Sequence, residues 1–268
     1  MISLKKFVPP VIVDLLVRFN RKRHGFLGDF GSWEEASLAC EGYESKTLVS
    51  SYITKYLNEI KTADLASNTN TISDRELRLI NGVQFGLSNI PNDVTKCKVL
   101  DFGGAYGNHY PAIKRFLGNK LDQYVICESP AVSDAFNEME TENLSWISDL
   151  NVVPENSFEI VVTSCTLPYV ENPRETLRSL SRISSWIVMD RMPVLIDSQT
   201  KIFKQNSTTS DGMQVSYPAW YFSESEILDW CKEFNLKIEF QWLVPEDRPY
   251  VLGERRPYRG YLLRKNTN

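Results

Sequence analysis

Between residues 99 and 107 the chain reads Val-Leu-Asp-Phe-Gly-Gly-Ala-Tyr-Gly: an apolar run that ends in an acid and turns at once into glycine. Such a turn, with a helix able to start at 108, lets a nucleotide-like ligand approach the backbone. The candidate contacts are Asp101, Gly103, Gly104, Ala105 and Gly107, joined by Glu128 at the end of the next apolar run. A carboxylate there can accept both hydrogen bonds of a ribose diol. The dinucleotide fingerprint G-x-G-x-x-G would need a glycine where Phe102 stands. The pattern acid-x-G-x-G-x-G fits Asp101, Gly103 and Gly107, with Ala105 in the middle place and Gly104 expected to supply the lost backbone freedom. An acid beside the turn repels a pyrophosphate and attracts a cation. The expected cofactor is therefore S-adenosylmethionine (SAM), a nucleoside with a sulfonium and an ammonium group.

Transfer of a methyl group from a sulfonium is an in-line displacement, so alignment does much of the work. A poor nucleophile such as a hydroxyl also needs a base or a charge stabiliser. Three residues are candidates: His109 after the glycine turn, and Asp190 and Arg191 after the fifth apolar run. Each has a structural alternative, His109 as a helix-start residue facing solvent and the other two as an ion network ordering the next loop. Arg191 is suited to a carboxylate or phosphate on the acceptor. Asp149 can meet an adenine amino group or be a solvated loop acid, and Ser164, Cys165 and Tyr169 follow the fourth run at the cofactor crevice. Tyr217 and Trp220, with Tyr221 and Phe222, offer flat faces for a sugar or ordinary core material. No acid stands near residues 164–166, so no metal is expected.

These residues need a parallel sheet to bring them together. Apolar runs at 97–101, 124–127, 144–147, 158–164 and 186–189 read as strands, with helices at 110–117, 133–139 and 173–182 between them. Such alternation predicts a sheet covered on both faces. Strands at 237–243 and 259–263 would add an antiparallel hairpin and bring the sheet to seven. Residues 32–90 read as helical, with Ser32 as an N-cap and Ser73 with Glu76 as a capping box. Ser223 and Glu226 suggest a second box. Residues 191–222 show no clear strand–helix unit and read as a long loop, of the kind that is functional or disordered.

The chain has 268 residues, 42% of them hydrophobic, and a net charge of −4, which gives no basic excess for nucleic acid. Five cysteines without a C-x-x-C pair support neither zinc nor a disulfide framework, and Cys97 and Cys127 read as reduced core thiols. Residues 7–17 are apolar, broken by Pro9, Pro10 and Asp14, and bordered by Lys5, Lys6, Arg18, Arg21, Lys22 and Arg23. The run is too short to span a bilayer. It suits either contact of residues 1–24 with an anionic membrane surface or packing on protein.

Several stretches resemble a family of SAM-dependent methyltransferases encoded beside bacterial surface-polysaccharide genes. They are 31–36 (Gly-Ser-Trp-Glu-Glu-Ala) with Gly42-Tyr43, 99–107, 167–173 (Leu-Pro-Tyr-Val-Glu-Asn-Pro), 189–191 (Met-Asp-Arg) and 216–220 (Ser-Tyr-Pro-Ala-Trp). The chain departs from the family at Pro168, where a glutamine is more usual, and at Ser129, where the family tends to glutamine. The resemblance implies an α/β, Rossmann-like class I methyltransferase fold. Its seven-stranded, mostly parallel sheet would carry an N-terminal helical extension (1–90) on a SAM-binding domain (91–268) with an acceptor-site insertion at about 191–222. It also implies O-methylation of a sugar hydroxyl on a bacterial surface glycan or its lipid-linked precursor, in the cytoplasm or at the inner face of its membrane. A carbohydrate or glycolipid acceptor would be the partner. Two other classes stay open: an NAD-dependent nucleotide-sugar epimerase or dehydrogenase, and a non-catalytic SAM-binding scaffold of a glycan assembly complex.

Overall fold

The apolar runs of the second half of the chain pair into one seven-stranded sheet, and a smaller sheet stands beside it. The structure is a computed structural model. It describes residues 25–42, 46–61, 72–90, 95–196, 198–208, 212, 214–246, 249–252 and 254–266. The segment 1–24, for which a membrane or protein contact is expected, lies outside the described residues, as does part of the stretch 32–90 read as helical.

In chain order the elements are β1 (Gly25–Phe30), α1 (Trp33–Leu38), α2 (Lys46–Lys55, prolonged by a π-helical turn Tyr56–Ile60) and α3 (Asp74–Ser88). The core alternation follows as β2 (Cys97–Phe102), α4 (Tyr110–Leu117), β3 (Leu121–Cys127), α5 (Pro130–Phe136), β4 (Leu144–Ile147), β5 (Ile160–Ser164), α6 (Pro173–Ile183) and β6 (Trp186–Met192). The remainder comprises β7 (Val194–Leu195), β8 (Lys201–Thr208), β9 (Gln214–Ser223), α7 (Glu224–Glu233), β10 (Leu236–Val244), β11 (Tyr250–Val251), β12 (Glu254–Arg255) and β13 (Tyr258–Lys265).

The large sheet has the order β10-β13-β6-β5-β2-β3-β4. β2 through β6 pair in parallel, while β13 runs antiparallel to both β6 and β10. From β2 the chain steps outward to β3 and β4, then returns to lay β5 on the other side of β2. The strand order thus reverses between β2 and β5, which opens a crevice beyond their carboxyl ends. The period-two pattern divides the core: Val99 and Val162 pack beneath α3 and α4, Leu100 and Val161 beneath α6 and α7.

Helix α3 starts as its sequence requires. The Ser73 hydroxyl accepts from the Glu76 N–H at 3.2 Å, and the Ser73 N–H donates to Glu76 Oε2 at 2.8 Å. It presses onto the sheet through glycine. A Cβ on Gly82 would lie 2.7 Å from Val188 Cγ1, and one on Gly86 would lie 2.5 Å from Ile160 Cδ1.

Two expectations are corrected. Residues 191–222 are not a loop: they carry β7, β8 and β9, which join β1 in a sheet of order β1-β8-β9-β7. The polar stretch Lys204-Gln205-Asn206 and Pro218 hide the alternation that buries Phe203, Ala219 and Tyr221 around Phe26. The strand β1, ahead of the first expected helix, had no counterpart in the sequence reading. The second correction concerns α7, whose N-cap Ser223 makes no capping bond. Its hydroxyl instead lies 2.8 Å from that of Ser225, and Glu226 pairs with Thr200.

Gly82→Val overpacks the α3–sheet contact and is expected to cost about 1–3 kcal/mol. Urea unfolding checks this, and an unchanged midpoint would contradict the packing.

Candidate active site

The turn after β2 is shaped by what cannot fit there. Gly103 has φ +73°, and a Cβ on it would run into the Thr166 side chain that follows β5. A Cβ on Gly104 would lie 2.5 Å from Asp101 Oδ2. Gly104 is therefore needed for space. The left-handed residue is Ala105 itself, at φ +51°, so the expectation that Gly104 supplies the missing freedom is corrected. Two bonds hold Ala105 there: its N–H donates to Glu128 Oε1 at 3.0 Å, and its carbonyl accepts from Trp146 Nε1 at 3.1 Å. Gly107 closes the turn with its N–H on the Gly104 carbonyl at 2.8 Å.

Strain recurs across the same edge of the sheet. Cys165 after β5 and Arg191 in β6 are left-handed at φ +60° and +58°. Non-glycine residues held there cost on the order of 1–3 kcal/mol each, and such positions gather at functional sites. Ala105, Cys165 and Arg191 all stand at the carboxyl edge that the strand reversal opens.

Beneath the turn, Asp101 is wholly buried. Its Oδ2 accepts from the Tyr124 hydroxyl at 2.7 Å and meets His109 Nδ1 at 2.9 Å. On the other side of the ring, His109 Nε2 lies 2.7 Å from Arg75 Nη2. A guanidinium only donates. Nε2 must therefore accept, which assigns the ring proton to Nδ1 and directs it at Asp101. His109 is 2% exposed and spent on this chain, so it is placed as a buried strut and does not reach a substrate. Asp101 likewise acts through the turn it supports.

Glu128 ends β3 with Oε1 on the Ala105 N–H and Oε2 on the Ser129 N–H, both at 3.0 Å. Burial pushes its carboxyl above the ordinary range, the two backbone donors pull it back, and Asp101 adds repulsion. Asp149 is exposed and accepts from the Asn151 N–H at 2.8 Å, on the rim beyond β4. Ser164 is buried, and its hydroxyl has no hydrogen-bond partner among the described residues. Cys165 lies with its sulfur 3.5 Å from the Tyr169 hydroxyl, which donates to Gln205 Oε1 at 2.7 Å. Tyr169 also meets the Tyr217 ring edge-on, with centroids 5.6 Å apart.

Asp190 is wholly buried and held by Arg78, whose Nε lies 3.2 Å from Oδ1, and by Trp242 Nε1 at 2.7 Å from the same oxygen. It anchors α3 and β10 and has no surface from which to take an acceptor proton. Arg191 follows at the half-buried rim. Tyr217 and Trp220 differ in parity along β9 and so fall on opposite faces. Trp220 stacks on Trp33 with centroids 5.6 Å apart and donates to the Val170 carbonyl at 3.0 Å. It pins α1 to the small sheet, which leaves Tyr217 and Tyr169 as the aromatic pair beside Cys165.

The sequence reading missed Arg75, Arg78, Tyr124, Thr166 and Gln205. A signal existed for the arginines. A helix that precedes a parallel strand starts at the strands' carboxyl edge, so charges in the first turns of α3 face the site. Nothing in the sequence marked the other three.

No protein-family profile matches the chain, and no curated protein matches it. Among solved structures, a SAM-dependent methyltransferase from Clostridium acetobutylicum aligns at 10% identity and TM-score 0.48, over 80% of this chain and 100% of that one. The 1,6-didemethyltoxoflavin-N1-methyltransferase of Burkholderia thailandensis, solved with bound 1,6-didemethyltoxoflavin and S-adenosylhomocysteine, aligns at 12% and 0.49, over 91% and 94%. The CcbJ methyltransferase of Streptomyces caelestis aligns at 13% and 0.47, over 77% and 96%. At such scores the fold assignment rests on the strand order of this chain. That order, with its single reversed strand next to β6, defines a Rossmann-like class I methyltransferase fold.

Relief of the left-handed alanine gives a direct check. Ala105→Gly is expected to raise stability by about 1 kcal/mol, the penalty removed outweighing the entropy added to the unfolded chain. A lower melting temperature would contradict the assigned conformation.

Proposed function

We propose that this chain is a SAM-dependent O-methyltransferase that modifies a sugar hydroxyl of a bacterial surface glycan or its precursor. The observation that carries the reading is the glycine-rich turn 103–107 at the strand reversal, flanked by Glu128. The residues present fit SAM. A glycine-rich turn lets a nucleoside approach the backbone, and a buried carboxylate beneath it suits a cation better than a pyrophosphate. A dinucleotide enzyme is disfavoured twice: Phe102 fills the first glycine position, and β13 breaks the all-parallel order of that class.

SAM supplies an electrophilic methyl group on sulfur. The chain's part is to hold and align. Glu128 would take the ribose diol, and the turn would lie along the nucleoside. The Tyr169–Tyr217 pair, held by Gln205, offers a flat and polar wall for a sugar ring. Burial of both His109 and Asp190 leaves proximity and desolvation, with the charge of Arg191 at the rim, as the means of activating the acceptor. The sugar itself rests on the sequence resemblance and on this tyrosine wall. A site at the inner membrane face would depend on residues 1–24. Among the described residues, no helix is long and apolar enough to cross a membrane.

Titration calorimetry with S-adenosylhomocysteine and with NAD tests the cofactor. Binding of the former alone is expected, and binding of NAD alone would overturn the reading. The ionised form of Glu128 accepts the diol, and burial favours its protonated form. Affinity for S-adenosylhomocysteine is therefore expected to rise with pH through a midpoint above the usual carboxylate value. Glu128→Gln should weaken binding tenfold or more, about 1.4 kcal/mol, and flatten that slope. An unchanged pH profile in the variant would remove Glu128 from the site. Mass spectrometry of the surface glycan from a strain lacking the protein tests the acceptor: one methyl mark should vanish, and an intact glycan would contradict the assignment.

A further inference from the structure

Two arginines lie three residues apart near the start of α3, and their surroundings differ. Arg78 is matched: Asp190 holds its Nε at 3.2 Å, and Glu246 holds its Nη2 at 2.6 Å. Arg75 is not. Its nearest polar partner is a neutral imidazole nitrogen, its Nε is buried without a hydrogen-bond partner, and no carboxylate pairs with it among the described residues. Asp101 attracts it only from behind the imidazole, with Oδ2 already committed to His109 and Tyr124. Arg191, at the tip of β6, repels it. Taking a guanidinium out of water is costly unless an anion meets it. Arg75 and Arg191 stand near the edge where the strand order reverses, and an added negative charge there would relieve their repulsion. Burial and, next, Arg191 lower the Arg75 pKa, and Cys165, Asp101 and Asp190 offset only part of that.

We propose that Arg75 and Arg191 form an oxyanion site that receives a carboxylate or phosphate of the molecule held in the crevice. Two sources supply that chemistry: the amino-acid carboxylate of the methyl donor, or an acidic group on the acceptor. The first rests on the methyltransferase reading, whereas an acidic group on any other molecule in the crevice would use the same site without it. Arg75 is a ligand-binding residue here, and the imidazole of His109 fixes one edge of its planar fork so that the other edge is presented in advance.

The test uses the full chain and its Arg75→Gln and Arg75→Lys variants. Calorimetry is run with S-adenosylhomocysteine and with 5′-methylthioadenosine, the same nucleoside thioether without the amino-acid part. Thermal shift is run with inorganic phosphate. Removal of a partly buried cation that no carboxylate among the described residues pairs with is expected to leave the ligand-free melting temperature of Arg75→Gln equal to or above that of the wild type. A donor carboxylate in the site would show as a tenfold or greater loss of S-adenosylhomocysteine affinity with 5′-methylthioadenosine unchanged. An acceptor anion would show as unchanged S-adenosylhomocysteine affinity and loss of the phosphate-induced shift. Arg75→Lys should retain part of whichever response is lost.

Three results would overturn the proposal. One is equal response of wild type and Arg75→Gln to both S-adenosylhomocysteine and phosphate. Another is a parallel loss of 5′-methylthioadenosine affinity, which marks a structural role. The third is a wild-type protein that responds to none of the three probes. Failure of both nucleosides with a phosphate shift that depends on Arg75 would sink the methyltransferase reading and leave the oxyanion site standing.

Discussion

The backbone of the β2 turn lies so close to the Thr166 side chain after β5 that no side chain fits on the turn there. Gly103 sits against Thr166, and Gly104 sits on the carboxylate of Asp101. This contact at the reversal of strand order decides where a ligand can go. It also explains why a carboxylate is buried at all. Asp101 would be costly in an apolar core, and the hydroxyl of Tyr124 and the ring of His109 offset that cost. The floor of the crevice is thus a polar chain from Tyr124 through Asp101 and His109 to Arg75. Its far end is a cation that no carboxylate among the described residues pairs with.

The periphery serves the same edge. Asp190 ties α3 to β6 through Arg78 and to β10 through Trp242, so the helix that brings in Arg75 is fixed at its start by the reversed hairpin. On the other flank, the Tyr106 hydroxyl donates to Glu59 at 2.7 Å, and the Tyr106 ring lies 5.8 Å from that of Tyr52. Helix α2 is thereby tied to the outside of the glycine turn. The small sheet joins β1, from the N-terminal part of the chain, to β8 and β9, from the insertion, and contributes Gln205 and Tyr217. Two stretches that read as separate additions form one structure.

Much of the large sheet was legible because its signals are local. The run 97–101 and the run at β5 are apolar enough to be buried on both faces, Pro173 opens α6, and Ser73 and Glu76 announce α3. The small sheet was not legible because its strands are long, half polar and paired across the chain. Gln205 opposes Tyr217, and Phe26 opposes Gln205, pairings that no window of sequence contains. The glycine turn could be found from residue types alone. The burial of His109 and Asp190 could not. Both residues look catalytic by type and by their place after a strand. Only their partners, Arg75 for one and Arg78 with Trp242 for the other, turn them into supports.

A crystal structure of the protein with S-adenosylhomocysteine tests the central claim most directly. Density for the adenosine is expected along 103–107, with both ribose hydroxyls on the Glu128 carboxylate. Density at another place on the molecule, or none in crystals grown at saturating ligand, would contradict it.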